Sequence, residues 1–330
     1  MKKFILLILV AFFTATTTLA QEATATLNHE GQTTTFYGMD AYIEAIEAAQ
    51  DNDIITLSPG RFNSTWYFPN TIKNLTIIGA GMIADTINKR YPTILDSPYV
   101  PSTEKVSFKN LQIIGSFISP THTCIFEKCH ISNCLIQGCE IHFYNCIIDK
   151  LTHYYGSPAM VEALNSYIHI DIAEFNYSWE SCLSALFTNC ILSVKITYQH
   201  STYLNNFSFN NSIIIDKNNP AKQLFQNSVS AKNTLYIGTL AYPFNQGFTH
   251  NIWTTYHDIN TIFANTDTFQ LTEEAQTKYV SDDGSQIGIY GGVLPFDPTP
   301  NNPYIKKCEV APKTTPDGKL SVYIEVGGLE

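Results

Sequence analysis

The chain has 330 residues, of which 44% are hydrophobic and 15% are charged, and its formal net charge is −10. This length and apolar content suffice to bury a core, while the acidic balance makes nucleic acid and anionic membranes poor partners. Only two arginines occur, Arg61 and Arg90, which limits bidentate recognition of carboxylates.

Residues 1–20 predict a secretory signal peptide. Two lysines precede an apolar run that ends at Phe13, and Thr18-Leu19-Ala20 offers a small-x-small cleavage site. The run is too short to span a membrane, and no later apolar segment approaches that length. Cleavage leaves 17 basic against 29 acidic residues, a net charge of −12. We expect an exported protein without membrane insertion that is periplasmic, on the cell surface or extracellular.

The first predicted elements after the signal are a helix and two strands. Asp40 is a plausible N-cap for a helix over 40–50, whose apolar spacing is helical. A strand over 53–62 ends in a Pro-Gly turn, and a second strand over 75–78 ends at a glycine corner.

These elements resemble the start of a known family. The motifs A-Y-I-E-A-I-E-A-A, D-x-I-x-L-x-P-G-x-F and N-L-T-I-I-G-A-G are similar to the opening of pectin lyase-like right-handed β-helix proteins. The resemblance implies that the helix caps the open end of a solenoid, where an uncovered coil would expose a sheet edge. The family includes lyases, hydrolases, esterases, adhesins and non-enzymes, so the resemblance implies a fold and not a function.

A repeated phrase in the middle of the chain predicts the same fold independently. An asparagine followed by a small residue and two apolar ones recurs at steps of 20, 24, 22 and 22 residues, at Asn145, Asn165, Asn189, Asn211 and Asn233. A fixed period of this size with β-branched residues indicates stacked coils of strands. We therefore predict an all-β, single-stranded right-handed parallel β-helix with coils of about 22 residues and an N-terminal capping helix. One asparagine per coil would stack into a hydrogen-bonded ladder.

The cysteines follow the same repeat. Four of them are five residues apart, and two more occupy the small position of the asparagine phrase: Cys124, Cys129, Cys134, Cys139, Cys146 and Cys190. This spacing favours small, buried, unpaired thiols. A disulfide among some of them is a second interpretation. A zinc site that includes His122, His130 or His142 is a third.

The period fades after Gly238. Residues 263–271 and 283–292 resemble the closing segment of secreted bacterial β-helix proteins, and 295–303 reads as a Pro/Asn-rich linker before a tail strand over 320–326. The predicted organisation is a signal peptide (1–20), a β-helix with its cap (21–295), and a linker with a tail strand (296–330).

Motifs of known chemistry are scarce. Lyases of this fold need a basic residue and often clustered acids for Ca²⁺, whereas the coils have no arginine after Arg90 and no cluster of three acids. The N-T-D, D-D, G-H-G and R-I-K motifs of the hydrolases do not occur in order, and Asp282-Asp283 reads as a turn. No nucleotide-binding glycine loop is present either. We predict no cofactor and no metal site.

One column of side chains has catalytic potential. Four residues after the asparagines come Asp149, His169 and Ser193, the residue types of an oriented base beside a hydroxyl nucleophile. Asp171 and Lys195 stack two residues further on. The alternative is an outward polar ladder without chemistry.

Aromatic residues predict a second kind of site. Two excursions from the coils, over 152–164 and 174–186, carry paired rings, and the candidate binding residues are Tyr154, Tyr155, Asp171, Tyr177, Trp179 and Glu180. Exposed rings beside carboxylates commonly stack on sugars. Alternatively the rings cover the apolar column formed by Ile147, Tyr167, Ile191, Ile213 and Leu235.

The sequence favours an exported, glycan-associated β-helix with a binding or surface role and no recognisable catalytic motif. The partner would be a neutral polysaccharide or glycan, because a uronate polymer would be repelled by the acidic chain. Two alternatives stay open: a polysaccharide lyase or glycoside hydrolase with an unfamiliar site, and a structural or adhesive solenoid that binds a protein.

Overall fold

The structure is a computed structural model, which describes residues 23–64, 72–86, 90–98, 104–118, 123–153, 159–172, 183–196, 206–217, 229–238, 244, 249–255, 259–300, 304–310, 318–319 and 321–327. Within these residues the chain forms an all-β parallel solenoid with coils of about 22 residues. The predicted β-helix fold is therefore confirmed.

One sheet winds through the coils that the structure describes. In chain order its strands are β1 (Thr24–His29), β2 (Gln32–Tyr37), β3 (Asp53–Leu57), β4 (Gly60–Asn63), β5 (Asn74–Ile78), β6 (Thr93–Asp96), β7 (Lys105–Ile118), β8 (Thr123–Ile136), β9 (Glu140–Tyr144), β10 (Ile147–His153), β11 (Ala159–Leu164), β12 (Tyr167–Ile172), β13 (Leu183–Thr188), β14 (Ile191–Ile196), β15 (Phe207–Asn210), β16 (Ile213–Asp216), β17 (Ser230–Ile237) and β18 (Thr249–Thr255). From β3 onward neighbouring coils pair in parallel, so each strand lies directly on its counterpart in the next coil.

Short helices and hairpins complete the described chain. The helices are α1 (Ala41–Ala48), α2 (Ile259–Ile262) and α3 (Glu273–Lys278). The antiparallel hairpins are β19 (Phe263–Asn265) with β20 (Gln270–Leu271), and β21 (Tyr304–Val310) with β22 (Val322–Gly327). None of the helices in the described ranges has the length and hydropathy of a membrane span.

The N-terminal cap consists of α1 and the β1–β2 hairpin. The helix buries Tyr42, Ala45 and Ile46 against the first strands. Asp40 occupies the N-cap position, as predicted, but its carboxylate makes no capping bond and instead accepts from Asn63 Nδ2 at 2.6 Å. Strand β1 pairs antiparallel with both β2 and β3, so the hairpin continues the sheet beyond the first coil.

The repeated asparagines form one corner of the coils. All five have left-handed backbone geometry, with φ between 47° and 55°. Asparagine tolerates this conformation better than most residues, which explains its recurrence. Asn110, Lys128 and Asn251 share the geometry and continue the corner in coils where the sequence phrase is not recognisable.

The interior is packed with aromatic rings and small residues. Phe126 stacks between Phe108 and Phe143, with ring centroids 5.3 and 5.5 Å apart. The six cysteines discussed above are buried and free. Burial raises the pKa of the Cys190 thiol to about 12 and that of the Cys146 thiol well above its usual range, which keeps both inert. The prediction of buried free thiols is confirmed for these six, whereas Cys182 lies outside the described residues.

The C-terminal part of the solenoid doubles back along the asparagine corner. We call residues 282–300 the strap. It contacts the coils in reverse order: Asp282 accepts from Asn233 Nδ2 at 2.9 Å, Gly288 N donates to Asn211 O at 2.8 Å, and Asp297 N donates to Asn145 Oδ1 at 3.1 Å. These contacts continue beyond residue 295, where the sequence predicts a linker.

The two predicted excursions are shorter than expected. Strand β10 continues to His153 and β11 begins at Ala159, while β13 begins at Leu183. Residues 159–164 alternate between buried and exposed positions, but Ala, Met, Glu and Leu favour helices and obscured this strand. All four predicted aromatic residues fall on 154–158 and 173–182, outside the described residues.

Candidate functional site

The predicted polar column lies on the face formed by β10, β12, β14 and β16. Between β12 and β14 the register is regular, so His169 is opposite Ser193 and Asp171 is opposite Lys195. Between β10 and β12 the register shifts after Ile148. At the shift, two residues of β10, Asp149 and Lys150, correspond to the single residue His169 of β12, so Asp149 is not in regular register with His169.

Asp149 contacts a different histidine. Its Oδ2 lies 2.9 Å from Nε2 of His130 in the preceding coil, and about half of the Asp149 side chain is exposed. Strand β8 places His130 beside β10 through regular parallel pairing. An aspartate–histidine pair is thus present, but it does not include His169.

His169 and Ser193 are in contact, in a geometry that disfavours nucleophilic catalysis. The His169 Nδ1 atom lies 3.0 Å from the Ser193 carbonyl oxygen and 3.1 Å from its Oγ. A carbonyl oxygen can only accept, so Nδ1 carries the proton and cannot take one from the hydroxyl. Ser193 is also fully buried. Burial, followed by the charge of Lys217, lowers the pKa of His169 and favours the neutral ring.

Charged side chains of both signs surround this pair. Lys150 Nζ lies 4.0 Å from Asp171 Oδ2, and Lys195 is in register with Asp171 on the next coil. These side chains keep partial contact with water, so the ion pair contributes little to stability. The face is a charge-balanced polar surface that can donate and accept hydrogen bonds. The catalytic roles of Asp149, His169 and Ser193 stay predictions.

The strands that flank the candidate aromatic residues in the chain stack on one another. Tyr154 and Tyr155 lie between β10 and β11, and Tyr177, Trp179 and Glu180 lie between β12 and β13, all outside the described residues. Strand β12 stacks on β10 and β13 stacks on β11. The two aromatic segments therefore leave and rejoin neighbouring coils at the same corner.

The apolar column beside the asparagine corner is covered by the chain itself. Ile191, Ile213 and Leu235 are fully buried. They belong to a second hydrophobic cluster together with Ile262, Phe263, Leu271, Ala275, Tyr279, Ile287, Ile289 and Phe296. Tyr167 stacks on Phe269 with ring centroids 4.2 Å apart. Among the described residues, 259–296 cover Ile191, Ile213 and Leu235, while Ile147 and Tyr167 are half-buried.

A third cluster, absent from our sequence predictions, lies on the face formed by β9, β11 and β13. We call Glu140, His142, Tyr144 and Glu162 the His142 cluster. His142 Nδ1 lies 2.8 Å from Glu162 Oε2 and 3.2 Å from Tyr144 Oη, and its Nε2 lies 3.1 Å from Glu140 Oε1.

The His142 cluster combines two carboxylates with a protonated phenol. Burial, and then the charges of Glu162 and Glu140, raise the pKa of Tyr144, so its hydroxyl stays a donor at neutral pH. The sequence signal was the alternation over 140–144, which turns three polar side chains to one face. From the sequence, His142 is a candidate only as a zinc ligand. Within the described ranges, no group of three or more His, Cys, Asp or Glu is arranged to hold a metal ion.

Comparison with protein-family models, curated proteins and solved structures finds no match for this chain. Its function must therefore be inferred from the side chains themselves.

Proposed function

We propose that the protein is an exported, pectin lyase-like right-handed β-helix that binds a neutral glycan beside the corner where the two aromatic segments leave the solenoid. The observation that carries this proposal is the stacking of β10 on β12 and of β11 on β13, which tethers the segments with Tyr155 and Trp179 to adjacent coils. Neighbouring coils are about 4.8 Å apart, so rings on such segments can contact one sugar chain.

The chemistry of the adjacent face supports a neutral ligand. Asp149, Lys150 and Asp171 place both charge signs on this surface, with His130 paired to Asp149. Sugar hydroxyls both donate and accept, so such a surface can satisfy them without a net charge on the ligand. The acidic chain as a whole would repel a polyanion at close range.

Calorimetry of the mature chain against neutral plant and mucin glycans tests this proposal. Removal of a buried stacking ring typically costs about 1–3 kcal/mol of binding free energy, so Trp179→Ala should weaken binding at least about fivefold. Tyr37→Ala is the matched control, because Tyr37 is an exposed ring on β2 at the other end of the chain. Absence of wild-type binding, or equal binding by Trp179→Ala, would contradict the proposal.

A polysaccharide hydrolase or lyase is the second candidate, and the His142 cluster favours it. Most glycoside hydrolases use two carboxyl groups, one as the general acid and the other as the base or nucleophile, and Glu140 and Glu162 are two carboxyl groups on one face. Product analysis of the same glycan incubations distinguishes the candidates. New reducing ends or unsaturated products that disappear in Glu162→Gln would favour an enzyme over a binding protein.

A further inference from the structure

A pocket lies where the end of the strap meets the loop between β5 and β6. Its volume is about 380 Å³. The loop contributes Ile83, Asp85, Arg90 and Tyr91, and the strap contributes Pro298 and Pro300. This position is separate from the face of β10, β12 and β14, to which none of the lining residues belongs.

Hydrogen bonds hold both walls of the pocket in place. Asp85 and Arg90 exchange two backbone hydrogen bonds of 2.9 and 2.8 Å, which fix the loop. On the strap side, the buried Lys128 ammonium donates to Asp297 Oδ2 at 3.2 Å and to the Thr299 carbonyl oxygen at 2.8 Å. A preformed cavity of this kind requires little ordering when a ligand binds.

The strap and the loop are also in close contact. A Cβ added at Gly81 would lie 3.4 Å from Pro300 Cγ, so the proline ring lies against the loop backbone. Met82 next to it is buried in the second hydrophobic cluster with Phe296 of the strap. The pocket thus exists only because the C-terminal segment returns to the N-terminal coils.

The side chains that line the pocket favour a small neutral ligand that has an apolar face and hydroxyl groups. Tyr91 is 58% exposed and Ile83 is 43% exposed, and with the two proline rings they give an aromatic and aliphatic surface. The C–H face of a pyranose packs on such surfaces. Asp85 and Arg90 carry opposite charges and can form charge-assisted hydrogen bonds to hydroxyls. The volume falls within the range of small-molecule sites.

We propose that this loop–strap pocket binds one neutral pyranose, either a free sugar or the terminal residue of a glycan, with Tyr91 as the stacking ring and Asp85 as the acceptor for hydroxyl groups. The inference shares only the class of ligand with the proposed function. It does not depend on the aromatic segments, so the two proposals can fail separately.

Saturation-transfer NMR of the mature chain with glucose, galactose, mannose and N-acetylglucosamine, each followed by a titration, tests the inference. At least one sugar should bind to the wild type. Tyr91→Ala should weaken its binding about tenfold, and Asp85→Asn should weaken it while the backbone bonds of Asp85 remain possible. Tyr37→Ala should bind it as the wild type does, and Trp179→Ala reports whether the aromatic segments contribute to binding.

The outcomes separate the two sites. Binding of no sugar by the wild type, or unchanged binding by both Tyr91→Ala and Asp85→Asn, would overturn the inference whatever the glycan calorimetry shows. Loss of sugar binding in Trp179→Ala but not in Tyr91→Ala would assign the pyranose to the aromatic segments instead. Equal thermal midpoints of the four variants would verify that each is folded.

Discussion

The asparagine corner has two halves that share a backbone geometry but differ in what their side chains bind. In the later coils the amides bond one another: Asn233 Nδ2 donates to Asn211 Oδ1 at 3.1 Å as well as to Asp282 Oδ1 of the strap, and Asn251 Nδ2 donates to Asn233 Oδ1 at 3.0 Å. In the earlier coils, Asn165 Nδ2 instead donates to the carbonyl oxygens of Ile289 and Gly291 on the strap, at 2.9 and 2.8 Å.

The difference shows that the asparagines serve two separate purposes. The left-handed φ is required at every corner, whereas the amide group is free to bind whatever lies above it. Where the strap lies close, the amides fasten it to the coils. Between the halves, Asn189 is buried, and its Oδ1, like that of Asn165, has no hydrogen-bond partner among the described residues.

The largest effect should come from Asn165, which is fully buried. Asn165→Ala removes the hydrogen-bond donor of two strap carbonyl groups. It also places alanine at a φ of 48°, a left-handed conformation that alanine tolerates less well than asparagine. We expect a loss of about 3–5 kcal/mol of unfolding free energy in urea titrations. Asn165→Gly relieves the backbone strain and should recover about 1 kcal/mol.

Asn52 provides the control for Asn165, since it has a φ of 69° at an exposed position. Asn52→Ala should cost only the backbone term of about 1–2 kcal/mol. If Asn165→Ala lowers the unfolding free energy no more than Asn52→Ala does, the hydrogen bonds to the strap do not stabilise the fold. The two halves of the corner would then not differ in stability.

An intermediate effect is expected from two strap glycines with similar backbone geometry. Gly292 has a φ of 72°, and a Cβ there would lie 2.2 Å from Asn189 Nδ2, whereas Gly284 has a φ of 81° and no atom within 4 Å. Both alanine variants carry the same backbone strain, so their difference reports the contact with Asn189. Thermal unfolding should show Gly292→Ala about 2 kcal/mol less stable than Gly284→Ala. Equal midpoints would mean that the strap is not seated on this coil.

The repeat was predictable from the sequence because it is local, whereas the strap was not. Each asparagine phrase lies about one coil from the next, and a fixed period records that spacing. The bond between Asn165 and Ile289 joins residues 124 positions apart, and the one between Asn145 and Asp297 joins residues 152 positions apart. No periodicity encodes such contacts. Lys128 replaces asparagine at the corner and so escaped the search for the phrase.

The candidate site shows a similar division. Alignment on the asparagine phrase predicted that His169 stacks on Ser193 and Asp171 on Lys195, and the regular register of β12 and β14 has both pairs. The shift in β10 after Ile148 leaves only one trace in the sequence, two polar residues between the buried Ile148 and Leu151 where alternation allows one, and this break alone does not show how Asp149 sits against the next coil. The His142 cluster was missed because Glu162 joins the three polar side chains of β9 only when β11 stacks on that strand.

The smallest expected effect is a pH dependence of the strap anchor at Asp297. Burial alone would raise the pKa of this carboxyl, but hydrogen bonds from Thr299 and the Lys128 ammonium outweigh it and hold the pKa below the usual 3.8. A depressed folded-state pKa contributes stability that is present above the unfolded pKa and lost as the pH falls through the folded value. Because the Asp297 side chain is 44% exposed, solvent screening limits this contribution to less than about 1 kcal/mol. Urea titrations of the wild type and Asp297→Asn should therefore differ most at neutral pH and converge as the pH falls below the folded-state pKa of Asp297. A difference that persists unchanged into acid would show that the carboxylate charge does not hold the strap, and that its contact with Lys128 depends on shape and neutral hydrogen bonds alone.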